Sequence, residues 1–179
     1  SKPQDRTVKL SNRALEIEGR VSAINRLDLD SVAGLIFRAD GRYLLQHREN
    51  RSDVSYPDWW SLFGGARDPN EHGADALRGE LREELGLTIQ ECEPFLGGTY
   101  EIWFERRLTR KIVFSVEIRD PQITTLVLNE GQAMAWFTFD EILARGAWIV
   151  PYDLSVISLH RIWWARNRTD QKCEIAIAT

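Results

Sequence analysis

Two short apolar runs separated by a turn stand near the start of the chain. The first, SVAGLIF, spans 31–37, and the second, RYLLQHR, spans 42–48, with Ala-Asp-Gly between them. Short apolar runs on either side of a glycine turn are typical of a β-hairpin. A third run, WWSLF at 59–63, predicts another strand, which ends abruptly at Gly64 and Gly65.

The period of the apolar positions becomes helical after this pair of glycines. Ala74, Leu77, Leu81 and Leu85 recur at steps of three and four residues. This spacing predicts an amphipathic helix from His72 to Leu85. Gly86 follows at once, and glycine is common just past the end of a helix.

Alternating strands return in the second half of the chain. Residues 99–105 and 111–118 alternate in polarity and are joined by a basic turn, and MAWFTF at 134–139 predicts one more strand. Thr138 and Glu141 have the spacing of a capping box, which predicts a short helix to about Ala144.

Helices close the chain, and one is also indicated before the first strand. Pro151 precedes a terminal helix predicted over 153–166. Near the start, steps of three and four residues favour an amphipathic helix, although alternation over 14–21 leaves a strand open; the apolar positions are Leu10, Ala14, Ile17, Val21 and Ile24. The order of elements predicts an α/β (α+β) fold, in which a mixed sheet lies between helices.

Composition places these elements in one ordinary domain. The chain has 179 residues, of which 43% are apolar and 28% charged, with a net charge of −4. We expect an extension at 1–29, the domain at 30–167 and a tail at 168–179. The chain has no basic surplus, which general nucleic-acid binding would require. No apolar run approaches the roughly 18 residues of a membrane span.

The two cysteines are isolated, and the first ten residues lack an apolar signal core. Isolated cysteines favour a reducing compartment over a disulfide framework. The expected location is therefore the cytoplasm.

Three glutamates of the predicted helix lie on one side of it. At 100° per residue, Glu80, Glu83 and Glu84 fall within an arc of about 100°, beside the leucine stripe. Like charges at this spacing repel each other, and a hard cation such as Mg²⁺ or Mn²⁺ would neutralise them. The alternative interpretation is a solvated acidic helix face.

The segment that contains these glutamates resembles the Nudix box, G-x5-E-x7-R-E-U-x-E-E-x-G-U, where U is aliphatic. Eight of the nine defined positions match at the right spacing, namely Gly65, Glu71, Glu80, Leu81, Glu83, Glu84, Gly86 and Leu87. The flanking elements resemble the Nudix family as well, over about residues 30–165. The resemblance implies a hydrolase that cleaves a pyrophosphate bond in a nucleoside diphosphate linked to another group.

The resemblance also implies roles for individual residues. Metal ligands would be the Gly65 carbonyl with Glu80, Glu83 and Glu84, and the cofactor would be Mg²⁺ or Mn²⁺. Glu80 and Glu83 also match catalytic positions of the family.

Residues outside the helix complete the implied site. Glu130 lies in a segment, 129–132, similar to a loop that supplies a further catalytic glutamate; its alternative is an ordinary turn residue. Arg48, Gly64 and Gly65 are the implied substrate-binding residues, and the alternative for Arg48 is a surface arginine at a strand end. The partner would be a small nucleotide-type molecule, and the terminal helices are candidates for a homodimer contact.

One position departs from the family pattern. Gly79 stands where the family has an arginine that orients the catalytic glutamates. Arg78 points about 100° away on the helical wheel, whereas Arg82 lies nearer in angle. The departure keeps a second hypothesis open, a Nudix-fold ligand-binding or regulatory module with weak or no catalysis.

Three family markers limit the substrate class. Trp103 occupies the position of a proline found in ADP-ribose-cleaving members, and Glu105 that of a tyrosine found in dinucleoside-polyphosphate members. Residues 59–70 contain no cysteine, which argues against the isomerases that share the fold.

Overall fold

The computed structural model describes residues 29–102 and 107–177. Six strands form one mixed sheet. Their bounds are β1 Leu29–Phe37, β2 Tyr43–His47, β3 Trp60–Ser61, β4 Glu93–Ile102, β5 Arg107–Glu117 and β6 Ala133–Phe137. The helices are α1 Gly73–Leu85, α2 Asp120–Ile123, α3 Phe139–Ala144 and α4 Pro151–Ile177, with a 3₁₀ turn at Gly146–Trp148.

The strand order is β3-β2-β1-β5-β4, and the sixth strand, β6, also pairs with β2. β1 runs parallel to β5 along its whole length, from Leu29 opposite Thr109 to Phe37 opposite Glu117. All other named pairs are antiparallel. β1 and β2 form the predicted hairpin, paired at Phe37 and Tyr43.

The segment 60–66 lies between β2 and β1 and changes partner as it passes. Trp60 and Ser61 pair with β2, whereas Phe63 and Ala66 form bridges to β1. Leu62 lies between the two pairings, and its backbone N–H and carbonyl form hydrogen bonds with side chains instead of with another strand. The Leu62 N–H donates to Asp153 Oδ2 at 3.0 Å, and its carbonyl accepts from Gln46 Nε2 at 3.1 Å.

Apolar side chains cover both faces of the sheet. One face packs against α1, whose buried leucines 77, 81 and 85 meet Val32 and Phe114. The other face packs against α3 and α4 through a second cluster, which includes Leu35, Leu45 and Ile157. The predicted mixed sheet between helices is thus confirmed.

The two helix boundaries predicted from capping patterns are confirmed. α1 ends at Gly86, which has a left-handed φ of 61°, and its N–H donates to the Arg82 carbonyl. α3 begins after Thr138, whose hydroxyl oxygen accepts from the Glu141 N–H at 3.2 Å.

Other boundaries differ from the predictions. β4 begins at Glu93, six residues before its predicted start, because pairing with β5 continues through Pro94 and two glycines with a register shift. α4 continues to Ile177 instead of ending near residue 166, since no glycine or proline interrupts this stretch. The predicted helix over residues 10–24 lies outside the described residues.

Within residues 29–102 and 107–177, no helix combines the length and apolar character that a membrane crossing requires.

Asp153 joins the first turn of α4 to the sheet. Its side chain is 1% exposed; Oδ1 accepts from Lys111 Nζ at 2.6 Å, and Oδ2 accepts from the Leu62 N–H. Asp153→Ala leaves a nearly buried ammonium and a buried N–H without their acceptor. We expect the free energy of unfolding in urea to fall by about 3–5 kcal/mol. The matched control is Asp140→Ala, at an exposed position of α3, and an equal loss in both variants would contradict this role.

Candidate functional site

Three parts of the fold lie beside the C-terminal half of α1. They are the Gly64–Gly65 turn, the end of β2 and the loop before β6. A cavity of about 190 Å³ opens between them. Its wall contains five of the predicted site residues, Arg48, Gly64, Gly65, Glu84 and Glu130, and also Gln46, Glu49, Val54 and Gly131.

Two glycines allow the chain to pass closely under the glutamates. Gly64 has a φ of +132°, and a Cβ on it would lie 2.3 Å from the Val32 carbonyl oxygen. A Cβ on Gly65 would lie 2.6 Å from both carboxylate oxygens of Glu80. No side chain fits at either position without displacing backbone or Glu80, so the Glu80 carboxylate lies directly against the Gly65 backbone.

Glu84 is the most buried of the glutamates, with 5% of its surface exposed. Its Oε2 accepts a hydrogen bond from the Gly64 N–H at 2.8 Å. The pKa of Glu84 is raised to about 8, first by burial and then by the charges of Glu80 and Glu130, although the hydrogen bond from Gly64 and the interaction with Gln46 lower it. The carboxylate therefore lies in a position where its negative charge is poorly compensated.

Glu80 has a raised pKa for similar reasons. Burial is the largest cause, followed by the charges of Glu83, Glu130 and Glu71. The neighbour Glu83 is exposed. Glu84 and Glu130 line the cavity, whereas Glu80 and Glu83 do not. Glu80 still lies close enough to Glu83 and Glu130 for their charges to raise its pKa.

The loop before β6 binds the last turn of α1. The Val127 N–H donates to the Leu85 carbonyl at 3.0 Å, and the Asn129 N–H donates to the Glu84 carbonyl at 2.8 Å. The Asn129 side-chain amide donates to the Glu83 carbonyl at 2.8 Å. These bonds satisfy helix-end carbonyls that have no partner within the helix, and they place Glu130 beside the glutamates.

Arg48 lies across the cavity from the helix. Its Nε donates to the Ser55 carbonyl at 2.7 Å, and its backbone N–H donates to the Trp59 carbonyl. The side chain is fixed through Nε, and Arg48 is part of the cavity wall. An anionic group in the cavity would therefore meet a prepositioned guanidinium.

The donor chemistry of the site suits a hard divalent cation. Within the two described ranges, no three acidic, histidine or cysteine side chains converge as a finished set of ligands. The site nevertheless contains carboxylates, which hard cations prefer. The unfavourable charge on Glu80 and Glu84 is what a cation would neutralise. The Gly65 carbonyl, one of the predicted ligands, accepts from the Val32 N–H at 3.0 Å and has a second lone pair.

Neither Arg78 nor Arg82 takes the place of the arginine that the family has at the position of Gly79. The Arg78 guanidinium donates to Asp75 at 2.8 Å and to the Gln90 carbonyl at 3.0 Å. Arg82 is exposed, and within the described ranges its guanidinium forms no ion pair with the glutamates. A Cβ on Gly79 would have no neighbour within 4 Å, so this position has room for a side chain.

The basic turn predicted between the two strands is wrong where the structure describes it, because β5 begins at Arg107 and pairs with β4 from there. Arg110 forms an ion pair with Asp30, and Lys111 forms one with Asp153. Residues 103–106 lie outside the described ranges. The side chains of Arg110 and Lys111 already pair with carboxylates of the fold, so their contacts do not support a role in attracting an anionic substrate.

The sequence did not reveal two residues of the cavity wall, Gln46 and Gly131. Gln46 is a buried amide next to Glu84, and Gly131 packs against β2 next to Glu130. The only signal for Gln46 was a polar residue within the apolar strand YLLQH.

The fold and the site together define an α+β domain, with a sheet between two layers of helices, around an acidic, arginine-lined cleft. The NUDIX domain matches residues 28–155. The chain belongs to the Nudix hydrolase family, and the resemblance predicted from the box is confirmed. It is therefore an enzyme of a pyrophosphohydrolase family.

Characterised relatives and solved structures agree with this assignment. A nucleoside triphosphatase, NudI, from Escherichia coli is 40% identical over 121 residues, covering 66% of this chain and 80% of the relative. A CTP pyrophosphohydrolase from Escherichia coli is 33% identical over 130 residues, covering 72% and 88%. The solution structure of the E. coli ORF135 protein has a TM-score of 0.57 at 29% identity, over 73% of this chain and 86% of that one.

The raised pKa of Glu84 predicts a pH-dependent stability. The folded chain retains a proton between the ordinary pKa of 4.5 and about 8, where the unfolded chain has lost it. Without metal, stability from this group is complete below pH 4.5 and is lost as the pH rises towards 8. The loss is at most about 1.4 kcal/mol per pH unit.

Glu84→Gln removes this dependence. In EDTA, its free energy of unfolding should therefore rise relative to the parent chain as the pH goes from about 5 to about 8. Urea titrations at several pH values measure the difference, with the exposed Glu91→Gln as control for loss of a carboxylate. A difference that does not change with pH would disprove the prediction.

Proposed function

We propose that this enzyme hydrolyses a phosphoanhydride bond of a nucleoside triphosphate or related nucleotide, and that it depends on Mg²⁺ or Mn²⁺. The observation that carries the proposal is a cavity whose wall contains the buried Glu84, Glu130 and an arginine, Arg48, that is held through its Nε. Such a pair of acids is unfavourable by itself. It becomes favourable when cations and a phosphate chain fill the space between the acids and the arginine.

The substrate class is supported by the relatives. The two relatives described above are named for action on nucleoside triphosphates and on CTP. The cavity of about 190 Å³ is smaller than the 300–1,000 Å³ typical of sites that enclose a whole small molecule. It suits the phosphate chain, so the base and ribose would lie outside it.

The residues have separate parts in the proposed reaction. Glu80, Glu83, Glu84 and the Gly65 carbonyl would hold the metal, which would supply polarisation of the phosphoryl oxygens and a lowered pKa for a bound water molecule. Arg48 binds phosphate oxygens through its terminal amino groups, and the Gly64–Gly65 backbone lets the phosphate approach closely.

The acids also handle the proton. Glu130, or Glu80 or Glu83 on the helix, accepts it from the attacking water. The water oxygen bonds to phosphorus as the P–O anhydride bond breaks, and the electron pair leaves on the departing phosphate.

Gly79 favours a second candidate, a Nudix-fold module that binds nucleotides with little catalysis. Retention of the complete glutamate group favours the enzyme, because a binding module gains nothing from acids that repel each other. The two functions differ in turnover.

A substrate screen tests the proposal. Nucleoside triphosphates, nucleotide sugars, dinucleotides and ADP-ribose are incubated with Mg²⁺ or Mn²⁺, and released phosphate, pyrophosphate and nucleotide are measured. We expect turnover of at least one triphosphate, and Glu83→Gln should lower it by at least about tenfold, the lower limit for residues that only support a metal ligand. Glu91→Gln is the matched control. Binding of nucleotides without any turnover would favour the second candidate and exclude the first.

Restoring the arginine tests the effect of Gly79. Gly79→Arg and Gly79→Ala should both raise the free energy of unfolding, by up to about 1 kcal/mol, because glycine weakens a helix. Only the arginine variant should raise kcat, since only arginine can donate to the glutamates. Equal kcat values in both variants and the parent would show that another group already orients the acids.

A further inference from the structure

Gln46 is a buried polar residue in the middle of an otherwise apolar strand. It is 4% exposed. Side chains alternate between the two faces of a strand, so Gln46 shares the face of Leu44, which packs in the α1 cluster. A buried amide is costly unless its donors and acceptor find partners. Its partners therefore show what the residue does.

The Gln46 amide nitrogen has two N–H groups. One donates to the Leu62 carbonyl at 3.1 Å. Gln46 and Glu84 line the same cavity, and the Gln46 amide interacts with the Glu84 carboxylate and lowers its pKa. The Gly64 N–H donates to the same carboxylate, so Glu84 has neighbours on both β2 and the Gly64–Gly65 turn.

The amide oxygen of Gln46 faces the loop that contains Glu130. A Cβ on Gly131 would lie 3.4 Å from Gln46 Oε1 and 3.1 Å from the His47 carbonyl oxygen. Gly131 also has a φ of +90°, a conformation that favours glycine. Next to it, the Gln132 N–H donates to the His47 carbonyl at 2.9 Å. The loop is thus packed closely on β2 at Gln46.

We propose that Gln46 is a positioning residue, which fixes Glu84 on the helix relative to Glu130 on the loop. One side chain contacts the carboxylate on one side and the glycine next to Glu130 on the other. The inference that this serves metal binding rests on the proposed function. The contact between Gln46 and Glu84 does not depend on it.

A purely structural role would consist of the bond to the Leu62 carbonyl alone. A double-mutant cycle distinguishes the two roles. If the role is purely structural, replacing Gln46 lowers the free energy of unfolding by the same amount whether or not residue 84 is a carboxylate. The variants are Gln46→Met, Glu84→Gln and the double variant. Gln90→Met makes the same chemical change at an exposed position and is the matched control.

Mn²⁺ binding to the full chain without nucleotide is the first readout, measured by electron paramagnetic resonance. Gln46→Met should weaken Mn²⁺ binding by about 10–100-fold, the usual effect of losing a residue that supports a metal ligand. In the Glu84→Gln background the same change should have almost no further effect. Unchanged Mn²⁺ affinity in Gln46→Met, or an equal loss in both backgrounds, would overturn the proposal.

Urea unfolding of the same four chains in EDTA is the second readout. The effects of Gln46→Met and Glu84→Gln should be non-additive, since the residues are in contact; additive effects would overturn the contact. If the parent chain binds no Mn²⁺, the proposed function fails, whereas the metal-free cycle still decides for or against Gln46. Gln46→Leu also removes the amide without adding a charge, so it replaces Gln46→Met in both readouts if that variant does not fold.

Discussion

The change of strand partner at Leu62 is the constraint on which the site depends. Where the segment changes its partner from β2 to β1, one residue has a backbone N–H and carbonyl that pair with neither strand. Here Asp153 accepts from the Leu62 N–H and Gln46 donates to its carbonyl. An unpaired buried backbone group is costly, so these side chains make the crossing possible. The crossing brings Gly64 and Gly65 under Glu84 and Glu80.

The same arrangement explains how the fold tolerates its acidic group. The leucine stripe of α1 packs on the sheet, and the loop at 127–129 binds the carbonyls of its last turn. These contacts hold Glu84 in a buried position that raises its pKa to about 8. Packing and backbone bonds therefore stabilise the helix, while its carboxylates remain available for a ligand of opposite charge.

Local patterns predicted the helix α1, its end at Gly86, the hairpin and the capping box at Thr138, because each depends on residues close in sequence. The box also predicted the helix acids and the glycines. Gln46 and Gly131 could not be predicted, since their roles arise only when β2, the turn and the loop before β6 meet. The start of β4 was missed for a related reason, as pairing with β5 overrides its glycines and proline.

Metal-dependent stability tests the central claim most directly, because it requires no knowledge of the substrate. The midpoint of thermal unfolding is measured over a series of Mn²⁺ concentrations for the parent chain and for Glu84→Gln. A cation that binds only the folded chain raises the midpoint in proportion to the logarithm of its concentration. We predict such a rise for the parent chain and little or none for the variant. No rise in the parent chain, or an equal rise in both, would contradict a metal site at these glutamates.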